Sequence, residues 1–392
     1  MSRPDIDDLL SRNVEEIIGR EELEKKLKSG KKLRIKLGFD PTGSRLHIGR
    51  GVTLWKLRQF QDLGHKITFV IGDFTAQIGD SSDKDAERQM LTLEEVKKNF
   101  KDYHDQLSKI LDMKKVELFH NGSWFNPMHL DKFFKLASLF TIQQMTERDN
   151  FAKRIEAGKP VGLHETLYPL FQGYDSVEMK TDLEVGGSDQ LFNMLAGRTV
   201  QKAHGMEPQA VMTFSLLEGT DGRKMSTSWG NCIYITDEPL EMYGKVMTIR
   251  DELIPAYFKA ATDMTLDQIE QIEKDLANGD NPRDTKASLA RHIVARYHGE
   301  EAAVKAEEAW SKQFREGKLP DDIPTFSLKK KTELVNLIHE VFGVSLSEAK
   351  RLVGQGGVKF GGKKMADPSF EVNKAGILQV GKRRYAEIVK KN

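Results

Sequence analysis

The sequence predicts an α/β protein: a parallel β-sheet covered by helices, then an almost wholly helical region, then a small basic α+β module. Three observations predict it. A strand–loop–helix–strand pattern occupies about 40 residues from Leu33. From Pro239 to Glu316 the apolar residues recur almost throughout at helical spacing. Charge is segregated: residues 329–392 hold 14 Lys and Arg against six Asp and Glu, a net of +8, so the first 328 residues carry −7 of a total of +1. At roughly 150 residues per domain, 392 residues make two or three domains. The expected boundaries are 1–235, 236–325 and 329–392, with Pro320-Asp321-Asp322-Ile323-Pro324 as a linker.

The elements follow in order. Leu33-Arg34-Ile35-Lys36-Leu37-Gly38-Phe39 alternates as a strand does, and Asp40 to Arg45 forms the loop after it. Val52, Leu54, Trp55, Leu57, Phe60 and Leu63 recur at three and four, and Gly64 stands where a helix-ending glycine belongs. Ile67-Thr68-Phe69-Val70-Ile71 reads as a buried strand, which completes a βαβ unit and implies parallel strands with helices on the sheet faces. Asp80 to Arg88 is a polar loop, Leu91 to Leu111 a helix and Val116 to Phe119 a strand. Residues 129–180 are mostly helical, Gly186 to Gln190 is a glycine-marked turn, and long helices cover Asp284 to Tyr297 and Glu300 to Arg315.

Composition narrows the function classes. With 39% hydrophobic and 30% charged residues, the chain is neither disordered, collagen-like nor a disulfide scaffold. Cys232 is the single cysteine, so an internal disulfide and a cysteine-built zinc site are both excluded, and no resident metal is expected. No apolar run approaches the roughly 18 residues of a membrane helix, and the acidic start Met1 to Asp8 lacks an apolar signal core. A cytoplasmic location without membrane attachment is therefore expected. By charge alone the basic tail is either a solvated surface or the site of a polyanionic partner, most simply a nucleic acid.

Two segments carry phosphate chemistry. His47-Ile48-Gly49-Arg50 sits at a helix start directly after a strand and a Pro-containing turn, where unpaired N–H groups and the helix dipole favour anions. Gly49 has no Cβ to obstruct a ligand, and His47 can donate to an oxygen whose charge grows during reaction. Asp221-Gly222-Arg223-Lys224-Met225-Ser226-Thr227-Ser228 is a glycine- and hydroxyl-rich loop with two adjacent cations. Farther along the chain, Tyr168, Gln172 and Asp175 lie at i, i+4 and i+7, one face of a helix, beside an apolar stripe of Leu170, Tyr174 and Val177.

Together, HIGR and the KMSTS that follows 177 residues later resemble the paired signatures of class I aminoacyl-tRNA synthetases. The longer segments Gly38-Phe39-Asp40-Pro41-Thr42, Tyr168 to Asp175 and Val185 to Gln190 are similar to the bacterial-type tyrosyl members. The resemblance implies a Rossmann-like catalytic domain with a helical insertion, a helical anticodon-side domain, and a tail similar to S4-type RNA-binding domains. It also implies a homodimer whose substrates are tyrosine, Mg-ATP and tRNA(Tyr), with no prosthetic group.

By position, the resemblance makes His47, Lys224 and Thr42 catalytic. Asp40, Gly49, Arg50, Gly187, Asp189, Met225, Ser226 and Thr227 join His47 and Lys224 around ATP. Gly38, Asp80, Tyr168, Gln172, Asp175 and Gln190 fall around tyrosine, with Asp175 accepting the phenol proton and Tyr168, Gln172 and Asp80 holding the ammonium end. Lys350, Arg351, Lys359, Lys363, Lys382 and Arg383 are the expected RNA contacts. Tryptophanyl-tRNA synthetase, the sister enzyme, and a catalytically silent RNA-binding relative are the alternatives. Three positions depart from the family pattern: Arg50 replaces a histidine, Thr227 a lysine, and Lys36 a tyrosine that touches the substrate phenol. Arg223, Lys84 and Arg88 are the candidates to replace the missing loop cation.

Overall fold

The computed structural model describes residues 6–39, 45–80, 92, 94–95, 103–315, 323–328, 331–381 and 384–390. The chain forms two compact units, one of residues 1–237 and 248–289, the other of 238–247 and 290–392.

The first unit is built on a six-stranded sheet. Its strands are β1 (Val14–Ile18), β2 (Arg34–Phe39), β3 (Lys66–Ile71), β4 (Val116–His120), β5 (Leu183–Gly187) and β6 (Ala210–Phe214), in the order β1-β6-β5-β2-β3-β4. All neighbours are parallel except β1, which runs antiparallel to β6 along one edge. Residues 67–71 of β3 and all of β6 are buried, as strands covered on both faces by helices must be. The chain leaves β2 towards β3 and β4, then returns across it to β5 and β6. The order therefore reverses between β2 and β5, and beyond their C-terminal ends lies the crevice where such sheets bind ligands.

The Ile48–Asp62 helix connects β2 to β3, with His47 as its N-cap. It ends as Gly64 predicted. Gly64 takes φ +80°, its N–H reaches the Gln61 carbonyl at 2.9 Å, and the His65 N–H reaches that of Phe60 at 3.0 Å. The Leu163–Glu178 helix packs on the Leu191–Ala203 helix at Gly173, where a Cβ would stand 3.1 Å from the Ala196 carbonyl group. Leu170 and Tyr174 enter an apolar cluster with Phe125, Leu136, Met145 and Phe171, and Val177 packs against it, so the stripe beside the polar face is core. Of the expected helix from Leu91 to Leu111, the described part is helical at 94–95 and 103–107, and turns at 108–110.

The second unit contains the helices Pro239–Val246 and Glu300–Arg315, whose Tyr243 and Trp310 rings lie 5.8 Å apart. Its C-terminal part is the expected α+β module. Strands β7 (Thr325–Leu328), β9 (Val358–Phe360), β10 (Lys363–Met365), β12 (Gly376–Val380) and β13 (Arg384–Lys390) form one sheet in the order β10-β9-β12-β13-β7. Strands β8 (Thr332–Glu333) and β11 (Glu371–Val372) form a second pair. The helices Leu334–Phe342 and Leu346–Gly354 complete the module around Leu337, Ile338, Val353, Leu378 and Ile388. Strand β7, ahead of residue 329, is parallel to β13 and belongs to this sheet. Among the described residues, no helix is long and apolar enough to cross a membrane.

Candidate functional site

The first unit encloses a cavity of about 1060 Å³ at the crevice between β2 and β5. Hydrogen bonds join the first signature segment to the stretch that follows the second, beside this cavity. The Ile48 N–H donates to the Ile233 carbonyl at 2.9 Å and the Ile235 N–H to that of Leu46 at 3.0 Å, so His47 faces Tyr234 in an antiparallel bridge. Arg45 reinforces the join, with its guanidinium 3.9 Å from the Tyr234 ring centroid and 2.7 Å from Asp237.

His47 is held neutral. Burial, together with the charges of Arg50 and Lys224, lowers its imidazole to about 3. Its Nδ1 accepts the Arg50 N–H at 3.4 Å, so the ring hydrogen sits on Nε2, a neutral donor. Gly49 makes room for this ring, because a Cβ there would lie 3.0 Å from Nδ1. The KMSTS loop is clamped by Asn231, which sequence reasoning missed. Buried, it accepts the Ser226 N–H at 2.9 Å and donates to Asp221 at 2.8 Å and to the Lys224 carbonyl at 3.1 Å. Asn231 and Arg223 hold the Asp221 carboxyl well below the usual carboxylate range. Lys224 Nζ meets Asp189 at 3.1 Å. Arg223 is diverted from the cavity: its Nε lies 2.8 Å from Asp221 and its guanidinium stacks 4.6 Å from the Trp229 ring.

The deep end of the cavity is lined by Tyr168, Gln172 and Asp175, all buried on one face of the 163–178 helix. Asp175 accepts from Trp124 Nε1 at 2.9 Å and from Asn121 Nδ2 at 3.5 Å. Burial raises its carboxyl to about 7, against the opposing pull of Lys36, Trp124 and Asn121. Lys36 does not line the cavity. It is fully buried opposite Glu184 in the β2–β5 register, with Nζ 2.9 Å from that carboxylate, 2.8 Å from Ser176 Oγ and 2.7 Å from the Gln172 carbonyl. The Gln172 side chain donates to Glu184 at 3.1 Å. Asp80 accepts from Arg148 at 2.9 Å and from Gln190 at 2.6 Å.

Gly38, His47, Gly49, Arg50, Asp80, Tyr168, Gln172, Asp175, Gly187, Asp189, Gln190, Lys224, Met225, Ser226 and Thr227 thus line one cavity. Asp40, Thr42, Lys84, Arg88, Lys382 and Arg383 lie outside the described residues. Asn121, Trp124, Arg148 and Glu184 carried no motif or spacing signal, because each acts through a partner distant in sequence, and Asn231, close in sequence to the loop it clamps, belongs to no recognised motif. No group of three or more His, Cys, Asp or Glu that could hold a metal occurs among the described residues.

A family model described as tRNA synthetases class I (W and Y) matches residues 28–315. The chain is a class I tRNA synthetase. It is 48% identical over 385 residues to the tyrosine–tRNA ligase of Thermotoga maritima, covering 97% of this chain and 96% of that one. It is 45% identical to tyrosine–tRNA ligase 2 of Vibrio parahaemolyticus, covering 97% of both. In fold it is similar to the tyrosyl-tRNA synthetase of Archaeoglobus fulgidus, solved with L-tyrosine, at a TM-score of 0.61 and 23% identity over 77% of this chain and all of that one.

In this synthetase the tail presents exposed Lys350, Lys359 and Lys363. Lys359 stands opposite Lys364 on β10 and opposite Gln379 on β12. Like charges directly across a strand pair repel, an arrangement that a bound polyanion would relieve. Arg351, also exposed, is engaged by Glu348 at 2.6 Å and by Gln355 at 2.8 Å.

Proposed function

We infer that the chain is a tyrosine–tRNA ligase. The observation that carries this reading is Asp175: a buried carboxylate at the deep end of the cavity, steadied by Trp124 and Asn121, in a chain with full-length relatives named tyrosine–tRNA ligase. A phenol hydroxyl donates to that carboxylate. A substrate without the hydroxyl leaves a buried acceptor unpaired, at a cost of about 1–3 kcal/mol or more for a charged group.

Tyrosine binds with its phenol at Asp175 and its ammonium group among Asp80, Tyr168, Gln172 and Gln190. Its carboxylate oxygen attacks the α-phosphorus of Mg-ATP. The bond to the bridging oxygen breaks, and pyrophosphate leaves with the electron pair. The His47 Nε2–H, Lys224 and the N–H groups at the start of the 48–62 helix stabilise the charge that develops, with Gly49, Arg50, Met225, Ser226 and Thr227 around the same phosphates. Asp40 and Thr42 belong to the same phosphate-binding loop, and Gly187 and Asp189 take the ribose side. A ribose hydroxyl at the tRNA 3′ end then attacks the adenylate carbonyl and AMP leaves. Holding attacker and phosphate together supplies orientation, and no side chain acts as a covalent nucleophile.

The reading divides the chain into a catalytic domain (1–235), a helical anticodon-side domain (236–325) and an S4-like RNA-binding domain (329–392). Lys350, Arg351, Lys359, Lys363, Lys382 and Arg383 contact the tRNA backbone. The enzyme is a cytoplasmic homodimer. Supporting the dimer, Leu130, Phe134, Ile142 and Leu163 are 72%, 65%, 74% and 73% exposed on neighbouring helices of the first unit.

The test is ATP–pyrophosphate exchange with tyrosine, tryptophan and phenylalanine. Tyrosine alone should drive rapid exchange, and Asp175→Ala should lower the tyrosine rate far more than the phenylalanine rate. Exchange driven by tryptophan would identify the sister enzyme, and no exchange at all the silent RNA-binding relative.

A further inference from the structure

We propose that Arg50 is a catalytic residue that delivers to the leaving pyrophosphate the positive charge that Thr227 does not carry. The proposal rests on the adenylate-forming reading above and assigns within it a role peculiar to this chain.

Among the described residues, four cations line the cavity: Arg45, Arg50, Lys159 and Lys224. Arg45 is held by Asp237 and the Tyr234 ring, and Lys224 by Asp189. Lys159 stands in the exposed turn after the Asp149–Glu156 helix. Arg50 is different. No described carboxylate pairs with it. Among the described residues its guanidinium donates to the Tyr103 hydroxyl, at 3.4 Å, and lies 5.8 Å from the Phe39 ring centroid. It also stands in the first turn of the 48–62 helix, and that turn holds no acidic residue. A cation there opposes the helix dipole, so an anion arriving at this end is attracted by both.

The second signature shows the complementary change. Thr227 opens the Thr227–Trp229 turn, and its hydroxyl is hydrogen-bonded to Tyr234, the residue bridged to His47. A neutral group occupies the position, and its contact ties the loop to the first signature. Arg223 is turned onto Asp221 and Trp229 and cannot replace the charge without breaking both contacts. Arg50, Lys224 and His47 line the same cavity, and the charges of Arg50 and Lys224 both act on the His47 imidazole. Exchanging histidine for arginine in one segment and lysine for threonine in the other leaves their combined charge unchanged. When the bond from the α-phosphorus to its bridging oxygen breaks, the electron pair moves to pyrophosphate, and the guanidinium donors meet that oxyanion.

Pre-steady-state adenylate formation by the intact protein and by Arg50→His, Arg50→Lys, Thr227→Lys and the Arg50→His/Thr227→Lys double variant tests the exchange of charge. Arg50→His should slow adenylate formation about 10- to 10³-fold, with tyrosine affinity unchanged and pyrophosphate binding weakened in the reverse direction. Arg50→Lys should lose less. Thr227→Lys should restore most of the rate in the Arg50→His background. Independent, additive effects, or an Arg50→His rate within about twofold of the parent, would overturn the proposal. If Arg50→His fails to fold by thermal melting, the Arg50→Lys rate and its rescue by Thr227→Lys decide instead. A parent protein without tyrosine-dependent exchange would refute the ligase reading itself, whereas an active parent with indifferent variants refutes only the role of Arg50.

Discussion

Asp175, the proposed acceptor of the substrate phenol, also bears on stability. Burial raises its carboxyl to about 7, whereas an unfolded aspartate titrates near 3.9. Between these values the native protein holds a proton that the unfolded chain has released. Stability therefore falls as pH rises from about 4 to about 7, then levels off. Asp175→Asn removes this penalty. The variant should gain stability over the parent with rising pH, by at most about 4 kcal/mol above pH 7 and almost nothing near pH 4. Thermal melting of both proteins across that range checks the sign, and a gain independent of pH would show that another effect dominates. The parent should bind tyrosine more weakly below pH 7, where the protonated carboxyl is a poorer acceptor. Lys36 belongs to the same account. Its position beneath the pocket keeps a cation near Asp175 without exposing it to substrate, and Glu184 compensates that charge.

At the scale of elements, the 48–62 helix was legible because its signals are local: a Pro-containing turn before it, apolar spacing and Gly64 at the end. Strands β1 and β6 were not. β1 reads Val-Glu-Glu-Ile-Ile, too acidic to stand out, and finds its place only by pairing with β6 along an edge. The Leu130–Ala137 helix carries a second message. Leu136 and Ala137 turn inward to an apolar cluster, while Leu130 and Phe134, one turn apart, face outward. A helix apolar on both sides has a second partner, and a second copy of this chain fits the reading above. The protein should sediment at twice its 44.5 kDa. Phe134→Asp with Ile142→Asp should return it to the monomer mass without unfolding it. A parent protein that sediments as a monomer would remove the idea.

For the whole molecule, the segregation of charge into a −7 body and a +8 tail predicts that the two chemical steps respond differently to change. On the proposed reading, amino-acid activation uses the cavity of the first unit, and transfer needs the RNA to be docked. Reversing Lys350, Lys359 and Lys363 to glutamate should leave tyrosine activation within about twofold, lower tRNA charging at least about tenfold, and flatten its dependence on salt. Normal charging by that variant would show that the tail is not the docking surface.

The sequence by itself determined the class of chemistry and the residues that could perform it. The signature segments, the Tyr168–Gln172–Asp175 face and the basic tail are each short patterns, set by helix period, turn chemistry and charge within a few residues. The tertiary structure alone decided how these groups are held. It placed Trp124 and Asn121 behind Asp175, set Glu184 against Lys36, turned Arg223 away onto Asp221, and left Arg50 without a described carboxylate partner. Lys36 and Glu184 are 148 residues apart and meet because β2 and β5 are neighbours where the strand order reverses. Sheet order and burial are properties of the whole packed chain. They determine which charges lose their water and which partners remain to replace it, and no local stretch of sequence contains that information.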